Sequence, residues 1–102
     1  MTESDAFESL RDAERLVVQA ETDPSVAAEA AKAALRALLR EWSVEPTGET
    51  VVALLEQAAE TDNTLLHFRP EAAVLDRFES TPDAAARATI FVDAARARLA
   101  NI

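Results

Sequence analysis

The chain has 102 residues, 49% of them hydrophobic, and sets 19 acidic side chains against 10 basic ones for a net charge of −9. That length allows one domain around one core, and that hydrophobic share argues against an intrinsically disordered chain. The lack of cysteine excludes disulfides, thiolate metal sites and a Cys nucleophile, while the acidic field repels phosphate backbones and disfavours general nucleic-acid binding.

The first predicted helix covers residues 4–21. Ala6, Phe7, Leu10, Ala13, Val17 and Ala20 recur at three- and four-residue steps as one apolar stripe, and Asp5, Glu8, Asp12 and Glu21 fall largely outside it. Asp23-Pro24 then gives an N-cap followed by a proline at the first helical position, where no N–H is needed. The second helix runs from 24 to about 42, burying Ala27, Ala31, Ala34, Leu35, Leu38, Leu39 and Trp42. Residues 43–48, with Pro46 and the only glycine, form an ordinary connection.

A third helix is predicted over about 49–60, with Val51, Val52, Leu54, Leu55, Ala58 and Ala59 facing inward. The polar run 61–64 breaks it, and the short apolar stretch from Leu65 to Arg69 has no assignment. Pro70 starts a short fourth helix carrying Ala73, Val74, Leu75 and Phe78 to about residue 79. Thr81-Pro82 repeats the cap-then-proline signal, and a fifth helix continues to the C-terminus with Ala84, Ala88, Phe91, Ala95, Leu99 and Ile102 on one face. Twenty-three alanines against one glycine favour helix throughout. Short connections make neighbouring helices antiparallel, so the expected fold is an all-α, antiparallel up-and-down bundle of about five helices, four-helix-bundle-like, in a single domain.

The inventory for catalysis is thin. His67 is the sole histidine, which excludes multi-His metal sites within one chain, and one glycine excludes a phosphate-cradling loop. No metal site, cofactor motif or catalytic residue is therefore expected. His67, just ahead of Pro70, reads as a partly buried imidazole near a helix start, or as a single ligand contact or general acid/base. Lys32, Arg36 and Arg40 stand at i, i+4 and i+8 along one side of the second helix, a mildly repulsive spacing that calls for compensation. Pairing with acids on neighbouring helices, or with Glu29 and Glu41, would supply it. The alternative is a phosphate or acidic-partner site joined by Arg77 or by Arg11 and Arg15. Arg96 and Arg98 suit the C-terminal end of the last helix dipole. Trp42 fits either the core or a dimer interface.

The acidic first ten residues do not resemble a signal peptide, and no apolar run is long enough to span a bilayer, so a cytoplasmic protein with no membrane partner is expected. Acid excess and arginine in place of lysine also suit a GC-rich genome or a salt-rich cytosol, where screening relieves self-repulsion.

The run AAEAAKAALRALLREWSVEPTGETVVALLEQA (27–58) resembles the HEPN domain (the higher-eukaryote and prokaryote nucleotide-binding domain), whose Ala-rich second helix precedes a short turn and a third helix. EAAVLDRFESTPDA (71–84) is similar to that family's Leu-Asp-Arg-aromatic stretch before the last helix. The resemblance implies a bundle of about five helices, often a homodimer, partnered with a minimal nucleotidyltransferase in toxin–antitoxin pairs or acting as a metal-independent ribonuclease. Ribonuclease members carry an Arg-x4-6-His motif. Here the three positions at that spacing before His67 are Glu60, Thr61 and Asp62, and the element after Arg77 reads Glu79-Ser80-Thr81-Pro82-Asp83. The expectation is a non-catalytic HEPN-like interaction module that self-associates or binds a partner protein. A nucleotide- or RNA-binding member, with Lys32, Arg36, Arg40, Arg77 and His67 as contacts, is the alternative, and a structural bundle adapted to salt is the third.

Overall fold

The computed structural model describes residues 2–77 and 83–99, with side chains from Ala6 onward. Among the described residues the chain is all-α: α1 (Thr2–Ala20), α2 (Ala27–Glu41), α3 (Val51–Ala59), α4 (Arg69–Asp76) and α5 (Ala84–Leu99). Two 3₁₀ segments, Pro24–Val26 and Asn63–Phe68, join α1 to α2 and α3 to α4. Phe78, the Thr81-Pro82 start signal and Ile102 lie outside the described residues.

The hub of the bundle is α2, which packs against all four other helices. Ten of its fifteen residues are buried, and seven of those are alanines. Its most extensive interface is with α1, which presents buried Ala6, Ala13 and Ala20 at seven-residue intervals. Facing alanines let two helix axes approach toward the short end of the usual 8–10 Å range. The α5 helix covers a second side of α2, with buried Ala84, Ala88, Phe91, Val92, Ala95 and Leu99. A smaller pair, α3 and α4, packs on a further side.

Local chemistry explains the boundaries. Asp23 and Asp62 each cap a 3₁₀ turn by accepting from the N–H two residues on, so the α-helical part of the second element begins at Ala27 and not at Pro24. The unassigned apolar stretch is the second 3₁₀ segment. There Leu65 is fully buried and Phe68 stands edge-on to Phe91, 6.0 Å between ring centres. The α2 helix ends in a Schellman turn: Val44 N–H reaches Leu39 C=O at 2.8 Å and Ser43 N–H reaches Arg40 C=O at 3.1 Å. Ser43 occupies the left-handed position, φ 59°, where glycine is usual. Gly48 is used otherwise: a Cβ there would lie 2.8 Å from the Leu54 backbone nitrogen, so only glycine lets the loop lie on α3. Gln57 fastens that loop, donating to Glu45 C=O and accepting from the N–H of Thr47 and Gly48.

The α3 N-terminus is satisfied twice over. Thr50 Oγ1 accepts from Ala53 N–H, and the two carboxylate oxygens of Asp76, at the end of α4, accept from Val51 and Val52 N–H at 2.9 Å each. A carboxylate on the positive end of a helix is favourable in charge as well as in hydrogen bonding. The same contact fixes α3 and α4 antiparallel.

One part of the expected apolar stripe of α1 needs correction. Phe7 is 47% exposed. At about 100° per residue it falls beyond the edge of the Ala6–Leu10–Ala13–Val17–Ala20 face, alongside Arg11, Glu14 and Val18.

Candidate functional site

Because α2 is covered on nearly every side, little of it reaches solvent. Glu29, Lys32, Arg36 and Arg40 form that uncovered strip, three or four residues apart. The cations singled out by spacing therefore do share one surface, but they sit in three different environments. The Lys32 side chain is only 13% exposed and its Nζ lies 3.3 Å from Glu29. Arg40 donates from Nη1 to the buried hydroxyl of Ser9 on α1. Together with Glu8 and Asp12, those two residues line an open polar cleft of about 320 Å³. Two carboxylates beside one guanidinium leave that cleft without excess positive charge. Arg36 is half-buried and has no ion pair among the described residues.

The compensation expected for this stripe is thus partial. Glu29 supplies one pair within α2, while Arg40 is answered by a hydroxyl with acids close by. Arg11 and Arg15 do not join the strip: Arg15 pairs with Asp12 on its own helix at 3.0 Å, and Arg11, exposed, has no ion pair among the described residues. Arg77 is the exposed C-cap of α4, and no described side chain pairs with it. Trp42, the C-cap of α2, is half-buried and packs on the core.

His67 is exposed on the second 3₁₀ segment, contrary to the partly buried, hydrogen-bonded imidazole expected near Pro70. A 3₁₀ turn repeats every three residues, so burying Leu65 and half-burying Phe68 turns Leu66 and His67 outward. The acid at the head of this segment is committed elsewhere. Asp62 Oδ2 accepts from Arg98 Nε at 2.7 Å, while Oδ1 accepts from the N–H and hydroxyl of Thr64. The Thr64 hydroxyl bond first, and then Arg98, hold the Asp62 carboxyl below the usual carboxylate range. Arg98 also reaches Thr64 Oγ1 and Ala94 C=O, fixing the end of α5 to the α3–α4 connection. Toward the other end of α5 Arg87 bridges Asp83 and Glu71, joining the start of α5 to α4.

Sequence reasoning missed one surface. On α1, Phe7, Arg11, Glu14 and Val18 follow at steps of four, three and four residues, the spacing of a coiled-coil seam. Phe7 is 47% and Val18 65% exposed. Glu14 is engaged on one side by Arg96 of α5 at 2.8 Å. The 4-3-4 spacing is readable in the sequence, but two charged members disguise it as ordinary solvated surface.

No group of three or more potential ligand side chains that could hold a metal ion occurs among the described residues, and no helix described here is long and apolar enough to cross a membrane. No protein-family model, curated protein or solved structure matches the chain at a significant level.

Proposed function

We propose that this chain is a non-catalytic helical interaction module, HEPN-like in the order of its elements, that acts in the cytoplasm by binding protein through the outer face of α1. The observation that carries the reading is the exposed pair Phe7 and Val18, set three helical turns apart on one line of that helix. Large apolar side chains on a strongly acidic surface are costly to hydrate and concentrate binding energy when covered. The partner is a second copy or another protein, with a minimal nucleotidyltransferase of a toxin–antitoxin pair as the kind that the resemblance implies. The test combines light scattering on the purified chain with tagged recovery from its host, for the natural sequence and for Phe7→Glu/Val18→Glu. The natural chain should self-associate or retain a defined protein, and the double variant should lose that while keeping its helical circular dichroism and melting temperature. A strictly monomeric natural chain that retains nothing the variant loses overturns the reading.

A nucleotide- or RNA-binding role is favoured by one observation, the half-buried Arg36 beside the nearly buried Lys32. Glu29 weighs against it by pairing with Lys32, and Glu8 and Asp12 weigh against it by lining the cleft beside Arg40. Phosphate binding driven by these cations must weaken with salt and disappear in Lys32→Ala/Arg36→Ala. Equal and negligible binding of nucleotides and RNA by both chains eliminates this role.

A further inference from the structure

We propose that the occupant of the α1 face is the same face of a second copy, laid antiparallel about a two-fold axis. The inference rests on α1 being the binding surface and goes further by naming what covers it. Phe7 and Val18 are placed symmetrically about a point between Asp12 and Ala13, and Arg11 and Glu14 are symmetric about that same point. One two-fold axis through it therefore sets Phe7 against Val18 of the partner subunit, and Arg11 against Glu14 of the partner subunit, twice over. Such a patch is self-complementary in spacing and in charge, which is the requirement of an isologous interface.

The charges are in a suitable state for this. Arg11 has no ion pair among the described residues. Glu14 uses one carboxylate oxygen on Arg96 and keeps 43% of its side chain exposed, so it can accept from a second arginine. A parallel arrangement would set Arg11 against Arg11 and Glu14 against Glu14, and is disfavoured by like charge. With only two apolar anchors per copy the association is expected to be weak, of the small-interface kind that lies below roughly 1,200 Å². Each copy also carries a charge of −9, so association should strengthen as salt screens the overall repulsion.

The absence of native cysteine makes a direct test simple. Single variants Phe7→Cys and Val18→Cys are mixed under mild oxidation at about 1 mM chain, and their disulfide products are compared with those of each variant alone. The antiparallel seam predicts cross-linking chiefly between the two different variants. Sedimentation equilibrium of the full chain then follows Arg11→Glu, expected to weaken association at least fivefold, and Arg11→Glu/Glu14→Arg, expected to recover most of that loss. Circular dichroism on each variant verifies the fold, and Glu60→Gln, at the exposed end of α3, serves as a control that leaves association unchanged. Cross-links formed equally within each single variant, a charge swap that recovers nothing, or a natural chain monomeric at 1 mM each overturn the proposal. A monomer that still retains another protein through Phe7 and Val18 overturns only this inference. Loss of both kinds of binding removes the interaction-module reading as well.

Discussion

Ser43 is the residue whose backbone conformation least suits its side chain. Its φ of 59° places an L-residue in the left-handed region, where the contact between Cβ and the carbonyl costs roughly 1–2 kcal/mol. The Schellman hydrogen bonds to Leu39 and Arg40 hold it there. Ser43→Gly should keep those bonds, remove the contact and stabilise the chain by about 0.5–1 kcal/mol, measured as a raised urea midpoint followed by Trp42 fluorescence. Asp62 is a second telling residue. Its carboxyl is held below the usual range by Thr64 and Arg98, so the native state favours the ionised form more than the unfolded chain does. The associated stability is present above the ordinary carboxylate pKa and is lost as pH falls through the lower, native value. Asp62→Asn should therefore narrow the drop in urea midpoint between pH 7 and acid below about pH 4. An unchanged acid limb would mean that other carboxylates set it.

At the level of elements, α3 depends on a neighbour for its start. It is nine residues long, short of the roughly 12–15 at which an isolated helix becomes even marginal in water. Asp76 supplies two backbone hydrogen bonds from the end of α4, and Thr50 supplies a third. Asp76→Ala should cost about 2 kcal/mol, against about 1 kcal/mol for Thr50→Ala, in urea unfolding. The Thr50 cap is local in sequence, a threonine just ahead of an apolar run, although the predicted start at about 49 passes over it. The Asp76 contact is not, because its partners are 24 and 25 residues away. Within Leu75-Asp76-Arg77, Asp76 thus has a structural task.

Across the whole molecule, charge and packing oppose one another. The core is built mainly from alanine and leucine around α2, while the surface carries a net charge of −9. Half of the ion pairs seen are exposed pairs that contribute at most about 1 kcal/mol each. Net repulsion should therefore dominate the salt response, and the urea midpoint should rise between 0.05 M and 1 M sodium chloride. A falling midpoint would show that the pairs outweigh the repulsion. A chain that folds only near the upper salt limit would support the salt-adapted structural bundle over the interaction module.

The sequence by itself determined five helices and most of their buried faces, because both follow from alanine content, period and proline position within a few consecutive residues. It also placed Lys32, Arg36 and Arg40 on one strip, since helical spacing alone fixes that. Only the tertiary structure decided which of those cations are answered, because Ser9, which accepts from Arg40, comes from another helix. It likewise turned His67 out to solvent and left Phe7 and Val18 uncovered on α1. Periodicity can say that a helix has an apolar face, but a side chain at the edge of that face is buried or exposed by where the neighbouring helices stop.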